Sequence, residues 1–299
     1  LFSNSHVTEM LGCDCCCISS FIYAVGALTI ASKVIPFVLK KIKGDKPVEI
    51  QEKNYKKDVV YLYQFPGTPT ASSMSPFCMK IEAFCRLYKI TIKRCNMTSG
   101  RGQNGQLPFI ELNGEHIADS QIIVRRLTQH FNLQIFPDAQ TAAIGHAVDR
   151  LLDNHTFNLL ILVKQKTAHK VMEVILRANN LPSFLVPSLS SLGGYFFAKM
   201  TVERATTSIG KFKESDYKEL FRNDLTQLQT ILGNKKFLLG EEPTAVDCTA
   251  LGQFGFGYFA VPSARYYLHD LLESPEFALL KEYAERVKTR IFGDEFHDN

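Results

Sequence analysis

The stretch from Asp58 to Cys95 constrains the fold most, because it sets a strand, a helix and a second strand in close succession. Asp58 to Gln64 (DVVYLYQ) is rich in β-branched and aromatic residues and precedes the turn-prone FPGTPT, which predicts a buried strand. Ser75 and Pro76 indicate a helix start, and apolar residues then recur at helical spacing: Phe77, Ile81, Phe84 and Tyr88. Thr91 to Cys95 predicts the second strand, so this part of the chain should form a sheet covered by a helix.

A hairpin and another helix follow. Asn113 and Gly114 separate PFIEL from EHI, and both residues tolerate positive φ, which favours a type I′ turn between two strands. Asp119 and Ser120 then begin a helix whose inward residues are Ile123, Leu127 and Phe131. The order β-α-β-β-β-α predicts an α+β unit of thioredoxin-like shape over residues 58–134, with a mixed four-stranded sheet.

The second half of the chain is helical in pattern. From Asp138 onward strand alternation is lost, and apolar residues recur three and four apart, which predicts an all-helical domain over residues 138–297. Thr244 and Asp247 follow Pro243 in a capping-box pattern, in which each side chain bonds the other residue's backbone N–H. This box is structural, and replacing either residue by alanine should destabilise the fold by about 0.5–2 kcal/mol.

Several motifs resemble those of glutathione transferases. The run SPFC at 75–78, the strand LPFIEL with Pro108 and the helix start DSQIIVRRL are similar to the glutathione-binding half of that family. More narrowly, the failed-axon-connections proteins, a metaxin-related branch with cadmium-responsive members, resemble this chain in YLYQFPGTPTASSMSPFCMKIEAF, IGKF, FLLGEEPTAVDCTALG and RIFGDEF. The resemblance covers residues 58–297 and implies a thioredoxin-like domain followed by the all-α transferase domain.

The resemblance also implies that the ligand is glutathione or a related thiol. It implies a cis bond between Leu107 and Pro108, which would present the Leu107 backbone to an extended peptide. The backbone N–H and hydroxyl of Ser120 would bind the γ-glutamyl carboxylate, and Asp119 would balance its ammonium group. Glutamate is commoner than aspartate at that family position. From the residues alone, Asp-Ser is equally an ordinary helix cap.

The thiol-activating residue of the family is not evident. Gln64 precedes Phe65-Pro66, where tyrosine-type relatives carry their tyrosine, and glutamine cannot exchange a proton. Ser75, where redox relatives carry the reactive cysteine, is the candidate catalytic hydroxyl, with a plain N-cap as the alternative. Cys78 is a redox candidate, with core packing as the alternative.

These residues favour a protein that binds glutathione with weak or no transferase turnover. One alternative is an active transferase with a serine donor, in detoxification or a metal-stress response. Another is an adaptor or trafficking component without a small-molecule ligand. A homodimer or another protein partner is left open, and no metal site is predicted, because no Cys/His pair follows Cys13–Cys17 at ligand spacing.

Residues 1–39 are predicted to be a membrane anchor. Residues 15–32 contain no charged side chain, and about 20 such residues cross a bilayer. Five lysines follow, which predicts a single-pass protein with its body in the cytosol: Lys33, Lys40, Lys41, Lys43 and Lys46. A cleaved signal peptide and a peripheral amphipathic helix are the alternatives, and Cys13–Cys17 are candidates for acylation. The polar, lysine-rich residues 40–57 are predicted to be a linker.

Charge excludes one class of partner. The net charge of +4 comes mostly from residues 1–57, which hold eight lysines against five acids. The rest of the chain is close to neutral and has no basic stripe, so nucleic acid is not an expected partner.

Overall fold

A four-stranded sheet organises the first half of the computed structural model, which describes residues 49–97, 102–178 and 181–297. The strands lie in the order β2-β1-β3-β4, with β1 parallel to β2 and antiparallel to β3. Their bounds are Val60–Gln64 (β1), Ile92–Asn96 (β2), Phe109–Leu112 (β3) and Glu115–Ala118 (β4). Asn113 and Gly114 join β3 to β4 with φ values of 51° and 80°. The predicted mixed sheet and its hairpin are confirmed.

Two helices belong to this half. Helix α1 (Pro76–Leu87) begins at the N-cap Ser75, and α2 (Ser120–His130) begins at the N-cap Asp119. Strand β1 is buried at every residue, and Ile81, Phe84 and Ile123 are fully buried in the same core. The helical spacing read from the sequence therefore marks the faces that pack on the sheet.

The regular elements described between 138 and 297 are helices, as predicted. They are α3 (Ala139–Arg150), α4 (Phe157–Lys164), α5 (Ala168–Ala178), α6 (Val186–Ile209), α7 (Glu214–Leu232), α8 (Ala245–Phe254), α9 (Tyr267–Leu272) and α10 (Ala278–Phe292). A π-helical turn at Leu151–Thr156 joins α3 to α4, and a second one follows α8 at Gly255–Phe259.

The two halves meet where α1 lies against α8. A Cβ atom added to Gly252 of α8 would lie 2.3 Å from the carbonyl oxygen of Pro76, so only glycine permits this approach. Nearby, the ammonium group of Lys80 on α1 contacts Asp149 at 2.8 Å and Asp153 at 2.6 Å. Close packing and a buried ionic network therefore fix the thioredoxin-like half on the helical half.

The carboxylate of Glu111 helps to hold the chain ahead of β1 against the sheet. Glu111 on β3 accepts hydrogen bonds from the backbone N–H groups of Gln51 at 2.7 Å and Glu52 at 2.9 Å. It also accepts the Tyr63 hydroxyl at 3.0 Å. The described end of the predicted linker is therefore held against β3.

The prediction of a single-pass membrane protein with a cytosolic body is corrected here. Across residues 49–97, 102–178 and 181–297, no helix combines the length and the apolar character that a bilayer crossing needs. Helix α6 has 24 residues, but Lys199, Glu203 and Arg204 interrupt its second half. The predicted anchor at 1–39, its cysteines and the first half of the predicted linker, residues 40–48, lie outside the described residues.

Candidate functional site

A cavity of about 210 Å³ lies between the thioredoxin-like half and the helical half. Its first wall contains all four residues that the resemblance assigned to the ligand: Leu107, Pro108, Asp119 and Ser120. They come from the segment before β3 and from the start of α2, two places that the sheet topology brings together. The cavity therefore unites residues that are separate in the sequence.

The Leu107–Pro108 peptide bond is cis. Within the described residues, neither the N–H nor the C=O of Leu107 has a hydrogen-bond partner. These groups are the ones that an extended peptide would pair with, since β-type recognition uses unpaired backbone donors and acceptors.

The start of α2 supplies the polar groups of this wall. Ser120 is the first helical residue and is buried, and its hydroxyl makes no hydrogen bond within the part of the chain described. Asp119 is exposed, and its Oδ1 accepts the N–H of Gln121 at 2.9 Å. Asp119 has a φ of 78°, a conformation unfavourable for a residue with a side chain and often found at binding sites. Asp119 is thus a helix cap that also lines the cavity.

The other wall is polar and comes from the helical half. Asn154 and Asn158 belong to the π-helical turn and α4, whereas Arg204 and Ser208 belong to α6. The Asn158 amide donates to the Asn154 carbonyl at 2.5 Å and to the Ser208 hydroxyl at 3.3 Å. Arg204 is exposed and forms no ion pair among the residues described. This wall therefore offers hydrogen bonds and a positive charge.

Asp153 connects the cavity to the buried network around Lys80. Burial raises the pKa of Asp153, although Lys80 opposes this effect. Burial also acts to raise the pKa of Asp149. There the charge and hydrogen bond of Lys80, together with the hydrogen bond from the Thr249 hydroxyl, outweigh burial, so the pKa of Asp149 lies below its ordinary value. The network thus places a carboxyl group with a raised pKa in the cavity wall.

The catalytic candidates lie outside the set of residues that line the cavity. Gln64 is fully buried, and its Nε2 donates to the Ser72 carbonyl at 3.3 Å. The Ser75 hydroxyl accepts the N–H of Cys78 at 3.4 Å, as an N-cap does. Burial raises the pKa of Cys78 to about 11, which keeps this residue a thiol at neutral pH. The catalytic role of Ser75 and the redox role of Cys78 stay predictions.

Sequence reasoning missed the polar wall on α6. Arg204 and Ser208 belong to a helix whose polar and apolar residues show almost no net segregation, and no motif marks either residue. The sequence does show that Arg204 and Ser208 are four residues apart, a spacing that places both side chains on one face of a helix.

Two family models match the chain. The glutathione S-transferase N-terminal domain matches residues 76–167, and the glutathione S-transferase C-terminal domain matches residues 221–287. A curated relative, Failed axon connections of Drosophila melanogaster, is 30% identical over 257 residues. That match covers 82% of this chain and 61% of the relative, so the chain spans about three fifths of the relative's length.

Solved structures share the fold. A glutathione transferase of Phanerochaete chrysosporium has a TM-score of 0.50 and 15% identity, covering 82% of this chain and 100% of its own. A glutathione S-transferase of Methylobacterium radiotolerans, solved with glutathione sulfonate, has a TM-score of 0.50 and 13% identity, covering 81% of this chain and 96% of its own. This chain is a member of the glutathione S-transferase superfamily. Within it, the chain is similar to Failed axon connections.

Proposed function

We propose that this protein binds glutathione, or a closely related thiol peptide, in the cavity beside Leu107 and Pro108, with weak or no transferase turnover. The observation that carries the proposal is the composition of the first wall. Unpaired backbone groups of Leu107 adjoin the N-terminus of α2, where the Ser120 hydroxyl has no partner among the described residues. Helix N-termini attract carboxylates, because their free N–H groups and the helix dipole both favour negative charge.

The second wall supports the same class of ligand. Glutathione carries two carboxylates, and Arg204 adds a positive charge to a cavity whose lining is mostly polar. A volume of about 210 Å³ is small for a peptide together with a bulky apolar second substrate, because pockets for drug-sized ligands start near 300 Å³. One fold relative, the Methylobacterium radiotolerans protein, was solved with glutathione sulfonate.

Weak turnover is proposed because the residues that the resemblance assigns to thiol activation do not line the cavity. Thiolate formation needs a hydrogen-bond donor or a positive field near the sulfur. Gln64 is buried and its side chain donates to the Ser72 carbonyl, while the Ser75 oxygen accepts the N–H of Cys78 as a cap. Cys78 is buried with a raised pKa, so it is a poor nucleophile.

Calorimetry with the full chain tests binding. We expect glutathione to bind at millimolar or lower concentration, and Ser120→Ala to weaken binding about tenfold, as for the loss of a charge-assisted hydrogen bond. Ser188→Ala is the matched control, because Ser188 also lies in the first turn of a helix, is exposed and does not line the cavity. Equal losses in the two variants would contradict the proposed site.

Conjugation of 1-chloro-2,4-dinitrobenzene, measured beside Ser75→Ala, distinguishes the alternatives. Binding without conjugation is the expected result. Rapid conjugation that disappears in Ser75→Ala would instead identify an active transferase with a serine donor. Absence of glutathione binding at 10 mM would leave an adaptor or trafficking role.

A further inference from the structure

A second cavity, of about 620 Å³, lies among four parts of the fold. They are the loop after β1, the π-helical turn that follows α8, helix α9, and the end of α10 with the chain after it. It shares no lining residue with the cavity beside Leu107 and Pro108. Pockets for small molecules range from about 300 to 1,000 Å³, so this second cavity is large enough for a ligand of its own.

His269 on α9 lines the second cavity, although only 4% of this residue is exposed. Among the described residues, neither ring nitrogen of His269 has a partner at hydrogen-bond geometry. Aromatic packing fixes the ring instead, with its centroid 4.8 Å from that of Tyr266 and 5.1 Å from that of Tyr258. Buried polar side chains almost always have a partner, and a neutral imidazole carries one N–H donor. That donor is therefore available to a ligand in the second cavity.

Two further donors lie behind His269. Lys164 is buried, and its amino group donates to the Phe256 carbonyl at 2.7 Å. Burial alone lowers the pKa of Lys164 to about 7, since no carboxylate in the described part of the chain forms an ion pair with it. The hydroxyl of Tyr266, whose ring centroid is 5.2 Å from the Lys164 nitrogen, is also buried and has no partner within that part. This region therefore holds donors that no acidic side chain balances.

Arg265 places a positive charge at the mouth of the second cavity. Its side chain is 61% exposed, and its ion pair with Asp270 is long, at 3.8 Å. The charge of Arg265 acts on His269, because burial and then this charge lower the pKa of the imidazole and keep it neutral at pH 7. A ligand carboxylate can therefore meet the N–H of His269 and the guanidinium of Arg265 together.

Two carboxylates also line the second cavity, and each is either compensated or open to solvent. Glu273 accepts the Tyr258 hydroxyl at 2.6 Å and the Lys281 ammonium at 3.2 Å. Asp294 is exposed on the chain after α10, where water and salt screen its charge. Neither carboxylate therefore prevents an anion from reaching Arg265.

Three aromatic rings form the apolar part of the lining. Tyr258 and Phe259 come from the π-helical turn, and Phe296 comes from the chain after α10. The rings of Phe259 and Phe296 meet edge to face with centroids 5.6 Å apart, and those of Tyr258 and Phe259 do so at 5.2 Å. Aromatic side chains bury large areas against other rings, so these three favour a planar aromatic ligand.

We propose that the second cavity binds small aromatic carboxylates. The aromatic ring of the ligand lies against Tyr258 and Phe296, and its carboxylate accepts hydrogen bonds from His269 and Arg265. Such a ligand satisfies the buried imidazole N–H and supplies the negative charge that the surrounding donors lack. Because the two cavities have no lining residue in common, this ligand binds without displacing glutathione.

Fluorescence anisotropy of 2-naphthoate with the full chain tests the proposal. The chain has no tryptophan, so light beyond the tyrosine absorption band excites the probe alone. We expect a dissociation constant of about 0.1 mM or lower, which is reasonable for a ligand of this size. Arg265→Gln should weaken binding about tenfold, as should His269→Phe, which keeps the ring contacts but removes the N–H. Arg290→Gln is the matched control, because Arg290 is 56% exposed, has one carboxylate contact at 3.4 Å and does not line the second cavity.

Two further titrations test the class of ligand and the separation of the sites. The alcohol 2-naphthylmethanol keeps the rings without the charge and should bind about tenfold more weakly than 2-naphthoate. Glutathione at about 10 mM should leave 2-naphthoate bound, because its proposed site is the other cavity.

Several results would overturn the proposal. They are no binding of 2-naphthoate up to about 5 mM, unchanged affinity in folded Arg265→Gln or His269→Phe, an equal loss in Arg290→Gln, and displacement by glutathione. Equal affinity for 2-naphthylmethanol would overturn the carboxylate as the group recognised. Thermal unfolding checks that each variant folds. Since Arg265 is exposed, Arg265→Gln decides the question even if His269→Phe does not fold.

Discussion

The carboxylate of Asp247 holds together three segments of the helical half. It is fully buried and accepts the N–H of Thr244 at 2.7 Å and the Thr244 hydroxyl at 3.0 Å. It also accepts the N–H of Leu238 at 3.0 Å and the Tyr283 hydroxyl at 2.7 Å. Two of these four hydrogen bonds therefore lie outside the capping box.

Replacing Asp247 by alanine should cost at least about 2.5 kcal/mol of unfolding free energy, which is the sum of the lower bounds of three contributions. Loss of the cap contributes about 0.5–2 kcal/mol, as for other N-terminal caps. The Leu238 N–H and the Tyr283 hydroxyl then stay buried without an acceptor, and each such group costs about 1–3 kcal/mol. The sequence alone led to the smaller value, because the capping pattern contains no sign of Leu238 or Tyr283.

Urea unfolding, followed by circular dichroism, measures the difference. Asp138→Ala is the matched control, because Asp138 caps α3 through Thr141 at 2.8 Å in an exposed position and should cost only about 1 kcal/mol. Tyr283→Phe should be non-additive with Asp247→Ala, since both remove the same hydrogen bond. If Asp247→Ala costs no more than Asp138→Ala, the contacts beyond the box do not stabilise the fold and our reasoning is refuted.

Three further predictions concern buried or pinned groups. Burial lowers the pKa of Lys164 to about 7, against about 10.4 in an unfolded chain, so unfolding takes up a proton between these two pH values. The free energy of unfolding should therefore rise with pH in this range by up to about 1.4 kcal/mol per pH unit. Urea titrations at pH 7, 8 and 9 measure the rise, and Lys164→Met should flatten it. Among the described cysteines, Cys78 is fully buried and Cys95 is partly exposed, so iodoacetamide at pH 7.5 should label Cys95 before Cys78. Peptide mass mapping measures the order, and prompt labelling of Cys78 in the folded protein would contradict the structure. Glu111→Ala removes the acceptor for the N–H groups of residues 51 and 52. Limited proteolysis should therefore cut the chain between residues 50 and 58 several-fold faster than in wild type. An unchanged rate would show that Glu111 does not hold this segment.

The sequence predicts the thioredoxin-like half well because its signals are local. Strand β1 begins two residues later than the predicted strand, and α1 begins at Pro76 as predicted. Ser75 and Pro76 act through bonds within four residues, and Asn113-Gly114 specifies its turn through its own φ values. Caps and turns of this kind can be recognised in the sequence without any knowledge of tertiary contacts.

The contacts that a pattern could not predict join residues far apart in the chain. Glu111 reads as a polar residue in a strand, yet it is buried because it accepts N–H groups 59 and 60 residues earlier. Lys80 reads as an exposed helical lysine, yet it is buried between Asp149 and Asp153. A buried charge is stable only when partners satisfy it, and the sequence does not show where those partners arrive.

Helix α6 illustrates the same limit for the candidate site. Its last turns give Arg204 and Ser208 to the cavity, whereas Leu192, nearer its start, is exposed. Twelve residues separate Leu192 from Arg204, a distance of about 18 Å along the helix. The close approach of Gly194 to His169 on α5 determines which side of α6 faces inward, and no local pattern marks this contact. Because that contact joins two helices, the sequence pattern could not show that Arg204 and Ser208 would reach the cavity.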